Sequence, residues 1–386
     1  MDFARKGRTA LIYLDQAATS FPKPKEVREA VAGSFQWAVN PGRGSHRLVQ
    51  QAEAQVMHAR KLVAKLFSIR NPERILFFLN ATQAINQAIK GWVRPGDHVV
   101  ASGMEHNAVR RPLLFLARQG VQVTFLQGDR WGVPTATEVV NALRPHTRLV
   151  VINHASNVTG AAADVGEIGR RLKAAGVPLL VDAAQSAGVL PVDVEAMGID
   201  MLAFAGHKGL YGPPGVGGLY VREGIDLTPL VHGGTGMASA EPDQPLVWPD
   251  RYESGTLNVP GLAGLAAGVE FVLGQGVEAI ARHERELLAH LQRELAKIPG
   301  ITLFTPAEHT RVGVLSFLVE GYDSEEVAIL LAEHFNIAVR GGLHCAPLAH
   351  ERLGTLATGT VRVSVGLFNN HAEIEQLLAA VRELLA

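Results

Sequence analysis

"VPLLVDAAQSAG", residues 177–188, carries an unbroken apolar run into Asp182, with Gln185 three residues further on. A run without polar alternation reads as a strand buried on both faces, the habit of parallel sheets covered by helices. The runs "RILFFL" (74–79), "HVVAS" (98–102), "VQVTFL" (121–126), "RLVVINH" (148–154) and "MLAFAG" (201–206) read the same way, and amphipathic stretches separate most of them. Strands alternating with helices give an α/β fold with a mostly parallel sheet. Ligands of such sheets sit beyond the carboxyl ends of the strands, so a polar residue closing an apolar run is a candidate site residue.

Beyond this region the texture changes. A helical pattern over 266–298 is expected to break near 274–276, where Gly274 and Gly276 lie. It is followed by "VGVLSFLVEG" (312–321), a helix over 324–335, strands near 337–340 and at "VRVSVG" (361–366), and a terminal helix. Asp323 with Glu326 three residues on has the form of a capping box. The division expected is a large domain over 15–260 and a smaller α+β domain from 1–14 and 261–386, joined by the long helix.

Composition limits the partners. The formal net charge is −1 and 19% of the 386 residues are charged, so neither nucleic acid nor an anionic membrane is called for. A small molecule is the expected partner. No apolar stretch reaches the ~18 residues of a membrane span, and the N-terminal apolar run is too short for a secretory signal. One cysteine excludes an internal disulfide, and the expected location is cytoplasmic.

Three stretches carry chemistry. Asp182 closes its strand, and Lys208 follows another apolar run in "FAGHKGLYGPPGVGGLY", so parallel strands would set both at one sheet edge. Taken alone, Asp182 is equally consistent with a helix cap or ion pair, and Lys208 with a solvated lysine. Together an amine and a carboxylate there suit pyridoxal phosphate: the lysine holds the aldehyde as a Schiff base and the carboxylate keeps the pyridine nitrogen protonated. "LFFLNATQAINQAI" adds a strand-to-helix junction at 80–83, where free N–H groups and the helix dipole favour a phosphate and Thr82 adds a hydroxyl; an ordinary helix start reads identically.

In "VRVSVG" alternation sends Val361, Val363 and Val365 to one face and Arg362 and Ser364 to the other. Arg362 then points out of the small domain, available to a carboxylate or idle on the surface. The lone thiol, Cys345, lies in "VRGGLHCAPLAH" (339–350), after Gly341 and Gly342 and near His344 and Arg340, which would bias it toward thiolate. A small core residue is the other reading of it.

In order along the chain, "YLDQAATSFPKP", "NPGRGSHRLVQQAE", "EHNAV", "SNVTG", "VDAAQSAG", "GHKGLYGPPGVGGLY", "ESGTLNVP" and "RGGLHCAP" resemble the cysteine desulfurase branch of the class-V aminotransferase family. The resemblance covers residues 13 to about 370. It implies the fold type I architecture of pyridoxal phosphate enzymes, with a seven-stranded-type sheet in the large domain, and a homodimer. It gives Lys208 the role of Schiff-base lysine, Asp182 that of partner to the pyridine nitrogen, Gln185 and Asn157 contacts to the ring hydroxyl, and His106 the imidazole over the ring. Ala81, Thr82 and His207 match the phosphate site, and Thr256 a phosphate ligand reaching the other subunit. Arg362 matches the substrate-carboxylate arginine, Arg340 and His46 further residues on the substrate side, and Cys345 the nucleophile. No metal is implied.

The activity implied is conversion of L-cysteine to L-alanine with sulfur left as a persulfide on Cys345, for a thiol or sulfur-acceptor protein to collect and for uses such as iron–sulfur cluster assembly. The same scaffold serves selenocysteine lyases, acting on L-selenocysteine, and aminotransferases of other amino acids; a partner-facing scaffold subunit of a sulfur-transfer complex is the non-enzymatic alternative. Four positions depart from the family pattern: Ala205 replaces a phosphate-binding serine, Asn80 and Ala81 a glycine–threonine pair, and Gln16 an asparagine.

Overall fold

The computed structural model describes residues 10–42, 44–237, 239–306 and 310–385, so residues 1–9 of the expected small domain lie outside the described residues. Its strands are β1 (Ile12–Tyr13), β2 (Ile75–Phe78), β3 (His98–Ala101), β4 (Gln122–Phe125), β5 (Thr147–Asn153), β6 (Leu179–Asp182), β7 (Met201–Ala205), β8 (Gly217–Val221), β9 (Ile301–Leu303), β10 (Val314–Val319), β11 (Ile337–Ala338) and β12 (Val361–Ser364). Its α-helices are α1 (Lys25–Ser34), α2 (Arg47–Leu66), α3 (Ala81–Trp92), α4 (Asn107–Ala117), α5 (Ala136–Asn141), α6 (Val165–Ala175), α7 (Val259–Gln275), α8 (Val277–Leu295), α9 (Ser324–Phe335), α10 (Pro347–Leu353) and α11 (His371–Leu384).

Seven strands form one sheet in the order β2-β8-β7-β6-β5-β3-β4. The pairs from β7 through β6, β5 and β3 to β4 are parallel, while β8 runs antiparallel to both β7 and β2. The fold is α/β with a mostly parallel central sheet, as expected. Helices cover both faces, and apolar cores form on each. β8 was hidden in a glycine- and proline-rich stretch that reads as a turn. Its glycines serve close approach: a Cβ on Gly217 would stand 2.7 Å from the backbone carbon of Asn80, and one on Gly218 2.3 Å from the ring of Phe204.

The smaller unit is the antiparallel sheet β12-β10-β9, backed by α8, α9 and α11. The N-terminal β1 joins it by pairing with β11. Asp323 caps α9, but its side chain accepts from the N–H of Glu325, one residue short of a box with Glu326. The full capping box is at α11, between Asn370 and Glu373.

The long helical pattern breaks at Gly276, whose φ of +82° suits glycine, and α7 and α8 meet there at 77°. Val259, Leu262, Leu265 and Val269 of α7 belong to the core of the large sheet, and Leu287, Leu288 and Leu291 of α8 to that of the small one. α7 thus packs with the large sheet and α8 with the small one, on either side of Gly276. No described helix is by itself long and apolar enough to cross a membrane.

Candidate active site

Asp182 ends β6, and Lys208 lies three residues past the end of β7, its neighbour in the sheet. Parallel pairing brings both to one edge, where they line a cavity of about 240 Å³. The same cavity is lined by Ala81 and Thr82 at the start of α3, His106 before α4, Asn157 after β5, Gln185, Ala205 and His207, and by Arg340, His344 and Arg362 from the small domain. It lies at the seam of the two domains.

Burial sets the electrostatics. Lys208 is enclosed, and desolvation pulls its amine down to about 8 although Asp182 opposes the shift. Desolvation likewise raises the Asp182 carboxyl, against the N–H of Ala184, 2.9 Å from Oδ1, and the charge of Lys208. His106 is brought down to about 4, by burial first and then by Lys208, Arg340 and other cations. Its Nδ1 accepts from the N–H of Ala108 at 3.0 Å, so the neutral ring carries its proton on Nε2. His207 is also lowered to about 4 by burial, then Lys208 and Lys23.

The side chain of Asn80 caps α3 by accepting from Gln83 N at 2.9 Å, and Gln83 in turn accepts from Leu79 N. One orphan N–H is thereby used, and the others at the helix start remain available to an anion. Ala205, where the family has serine, leaves only a methyl at the cavity wall. Gln16 spends its amide on the chain itself: Oε1 accepts from Phe21 N at 2.9 Å and Nε2 donates to Phe21 O at 2.7 Å. Gln185 Nε2 donates to Ala17 O at 3.0 Å.

Arg362 corrects the idea of an outward, accessible side chain. It leaves the small sheet as alternation requires, but the large domain covers it and it is 1% exposed. Nη2 bonds Asp15 Oδ1 at 2.6 Å and Nη1 donates to Asn157 O at 3.2 Å, while Nε is buried with no partner among the described residues.

Cys345 is exposed, with Nη2 of the cavity-lining Arg340 3.9 Å from Sγ. His344 and Cys345 have φ of +50° and +58°, left-handed values that non-glycine residues seldom take, and Gly342 has +97°. Gly341 is needed for another reason, since a Cβ there would stand 2.4 Å from Ser324 O. The loop is docked on the large domain: Asn107 N donates to Cys345 O at 2.8 Å and Asn157 Nδ2 to His344 O at 2.7 Å. His344 is not the cation expected beside the thiol. It is buried, its Nε2 lies 3.0 Å from Thr360 O, and burial takes it down to about 2, so the cation beside the sulfur is Arg340.

Two of the expected residues are not brought here. His46 is exposed at the start of α2, and Thr256 borders a separate apolar cleft of about 220 Å³ beside Phe78 and Leu79; neither lines this cavity. Three residues that sequence reasoning passed over belong to the site's frame. Asp15 holds Arg362, Lys23 bonds the carbonyl of His207, and Glu105, fully buried beside His106, accepts from Ser102 Oγ at 2.6 Å and Asn153 N at 2.9 Å. Asp15 closes an apolar run as Asp182 does, so the same signal was present there.

The residues fit pyridoxal phosphate. Asp182 is a buried carboxylate with one N–H donor, which a protonated ring nitrogen would complete. Lys208 offers an amine of lowered basicity, the α3 start offers N–H groups, and the buried Asn157 Oδ1 and Arg362 Nε lack partners among the described residues.

The model of the family described as aminotransferase class-V matches residues 12–377. A probable cysteine desulfurase of Methanothermobacter thermautotrophicus is 37% identical over 380 residues, 97% of this chain and 94% of that one. A cysteine desulfurase of Escherichia coli O157:H7 is 33% identical over 97% of this chain and 93% of its own. Among solved structures, the apo cysteine desulfurase of Thermococcus onnurineus NA1 superposes with a TM-score of 0.91 at 34% identity, covering 97% and 94% of the two chains. The E. coli cysteine desulfurase CsdA, in an S-sulfonic acid form, gives 0.87 at 31% identity over 97% and 95%.

Proposed function

The chain belongs to the class-V aminotransferase family, in its cysteine desulfurase group, and from that premise we propose that it uses pyridoxal phosphate to convert L-cysteine to L-alanine, leaving the sulfur as a persulfide on Cys345. The observation that carries this reading is the placement of the thiol: Cys345, its carbonyl held by the Asn107 N–H, directly follows His344 and has its sulfur 3.9 Å from Nη2 of Arg340, and both of those residues line the cavity of Lys208 and Asp182. A transaminase or a scaffold subunit has no use for a thiol so placed; selenium is set aside in favour of sulfur on the similarity to cysteine desulfurases, not on the thiol.

Lys208, Asp182, Gln185, Asn157, His106, Ala81, Thr82 and His207 would hold the cofactor. When bound, it supplies an electron sink at the substrate α-carbon. Asp182 stabilises positive charge at the ring nitrogen. Arg362, through its unpartnered Nε, takes the α-carboxylate, and Arg340 adds charge on the same side. With its amine lowered to about 8, Lys208 is about one-tenth neutral at pH 7 and more so as pH rises, and that neutral form is the one able to take the α-proton. His106, neutral with its proton on Nε2, is placed to donate and recover a proton above the ring. Cys345 thiolate then attacks the substrate sulfur: an S–S bond forms, the C–S bond breaks, and its electron pair passes to the carbon that becomes the methyl of alanine. An acceptor thiol or protein then takes the outer sulfur by exchange, becoming a persulfide itself and returning Cys345 as the thiol, for uses such as iron–sulfur cluster assembly; release as sulfide takes two electrons from an added reductant.

We assign the active form to a homodimer. The exposed Leu79, Leu230 and Val231 edge the cleft that Thr256 borders, and a second copy covering it would bring Thr256 and His46 to the partner's site. The cytoplasm is the setting a single free thiol suits best. The deciding test compares alanine and sulfide release from L-cysteine, with a reductant, by the wild type and C345S. Turnover lost in the variant, with its cofactor spectrum intact, supports the reading. Equal turnover by both overturns it, and turnover confined to selenocysteine gives the lyase.

A further inference from the structure

We propose that Asp15 is a positioning residue for Arg362 and that, through it, the site demands a substrate with an α-carboxylate; this rests on the desulfurase reading above. Asp15 stands just beyond β1 in a two-residue bridge with Ser364, next to the strand that carries Arg362. Its backbone is pinned there: Gln16 N donates to Ser364 O at 3.4 Å, Ala17 N to Ser364 Oγ at 2.9 Å, and Ala18 N and the Tyr13 hydroxyl to Asp15 O at 3.1 and 3.2 Å. The carboxylate therefore reaches Nη2 of Arg362, at 2.6 Å, from a fixed base.

The guanidinium is held at two corners, by Asp15 at Nη2 and by Asn157 O at Nη1, and a third donor, Nε, is left buried in the cavity wall. A planar fork held at two corners cannot rotate, so the free donor faces one direction. Arg340 lies alongside, its backbone exchanging two hydrogen bonds with that of Arg362, at 3.2 and 2.8 Å, and supplies a second positive charge. Asp15 offsets one of the two cations and leaves the other to be offset by the ligand. An amine lacking a carboxylate would leave Nε unsatisfied on binding, the arrangement that discriminates most strongly against an analogue missing a polar group.

The test uses the cofactor-loaded enzyme and the variants D15A and D15N. Asn keeps an oxygen for Nη2, whereas Ala removes the brace. For D15A the KM for L-cysteine is expected to rise about 10- to 100-fold with kcat within about threefold, the range that loss of an oriented polar contact commonly spans. D15N is expected to recover most of that loss. Inhibition by cysteamine, which has the amine and thiol but no carboxylate, should change less than threefold in either variant. A KM for D15A equal to or below the wild-type value, or equal weakening of cysteine and cysteamine, would overturn the proposal. If D15A does not fold, D15S carries the same expectations, and thermal unfolding of each variant separates loss of fold from loss of orientation. A wild type inactive on L-cysteine would refute the desulfurase reading itself, an outcome distinct from any of these.

Discussion

The amine of Lys23 lies 2.9 Å from the carbonyl oxygen of His207, the oxygen of the peptide that joins His207 to Lys208. That oxygen also accepts from Ser20 N at 3.0 Å and from the hydroxyls of Thr19 and Ser20, each at 3.1 Å. Four donors on one carbonyl fix the backbone from which Lys208 projects, and they come from a segment nearly two hundred residues earlier in the chain. Burial lowers Lys23 to about 8, so its ammonium is retained near neutral pH and its bond is charge-assisted. K23M should still fold on the three remaining donors but lose about 1–2 kcal/mol of stability. Its kcat should fall several-fold with little change in KM. Urea unfolding and steady-state kinetics read the two effects separately.

Asp182 gives the sharpest separation of stability from activity. Its burial disfavours the carboxylate, so D182N removes a group that folding tolerates poorly, while the amide oxygen can still accept from Ala184 N. The variant should fold at least as stably as the wild type in the absence of cofactor, and its alanine release should fall by about 10²–10³, the scale of losing a preorganised electrostatic group. A D182N enzyme of near-normal rate would remove Asp182 from the chemistry.

What could be read in the sequence was whatever a short window contains. Asp182 and Lys208 each close an apolar run, so strand pairing was enough to place them together. The break at Gly276 and the span of α9 were legible because helical periodicity is local. The fate of Arg362 was half legible: alternation gave its face, but only the packing of two domains determines that this face is sealed and meets Asp15. His344 and Cys345 were read as a charged pair because they adjoin in sequence, whereas left-handed backbone at both turns the imidazole inward to Thr360. Lys23 lies in "FPKPK", where nothing in a short window points to the distant His207 carbonyl, and β8 was hidden in glycines whose purpose is close backbone approach.

Arg340 is the cation nearest Cys345, with Nη2 3.9 Å from Sγ, and no other described cation has a contact with that sulfur. A guanidinium at this distance sets a positive charge and a donor beside the reacting sulfur. R340M should therefore slow alkylation of Cys345 by iodoacetamide at pH 7 several-fold, measured by mass spectrometry with the cofactor bound. Because Arg340 also lies near Arg362, the KM for L-cysteine should rise in the same variant. Unchanged alkylation would mean that the thiol is activated by groups the substrate brings.

Glu284 offers a test of buried charge at the domain seam that is independent of catalysis. It projects from α8, its Oε2 accepts from Gly313 N at 3.1 Å, and with Tyr211 and Lys208 it borders a small cavity of about 30 Å³. Desolvation raises its carboxyl to about 8 from an ordinary 4.5. Between those values the folded chain keeps a proton that the unfolded chain has released, so this group's contribution to stability falls as pH rises from about 4.5 through 8. Lowered histidines, His106, His154 and His207 among them, act in the opposite sense, adding stability as pH rises from about 4 to 6.5, and they do so equally in a Glu284 variant. E284Q is neutral throughout and lacks the Glu284 decline. Relative to the wild type, it should gain about 2–4 kcal/mol between pH 5 and pH 8, the linkage value of a fully buried group over that interval. Urea unfolding of both proteins at the two pH values reads the difference directly, and parallel behaviour would mean that Glu284 is ionised in the fold and balanced by a cation, for which Lys208 is the neighbour at hand.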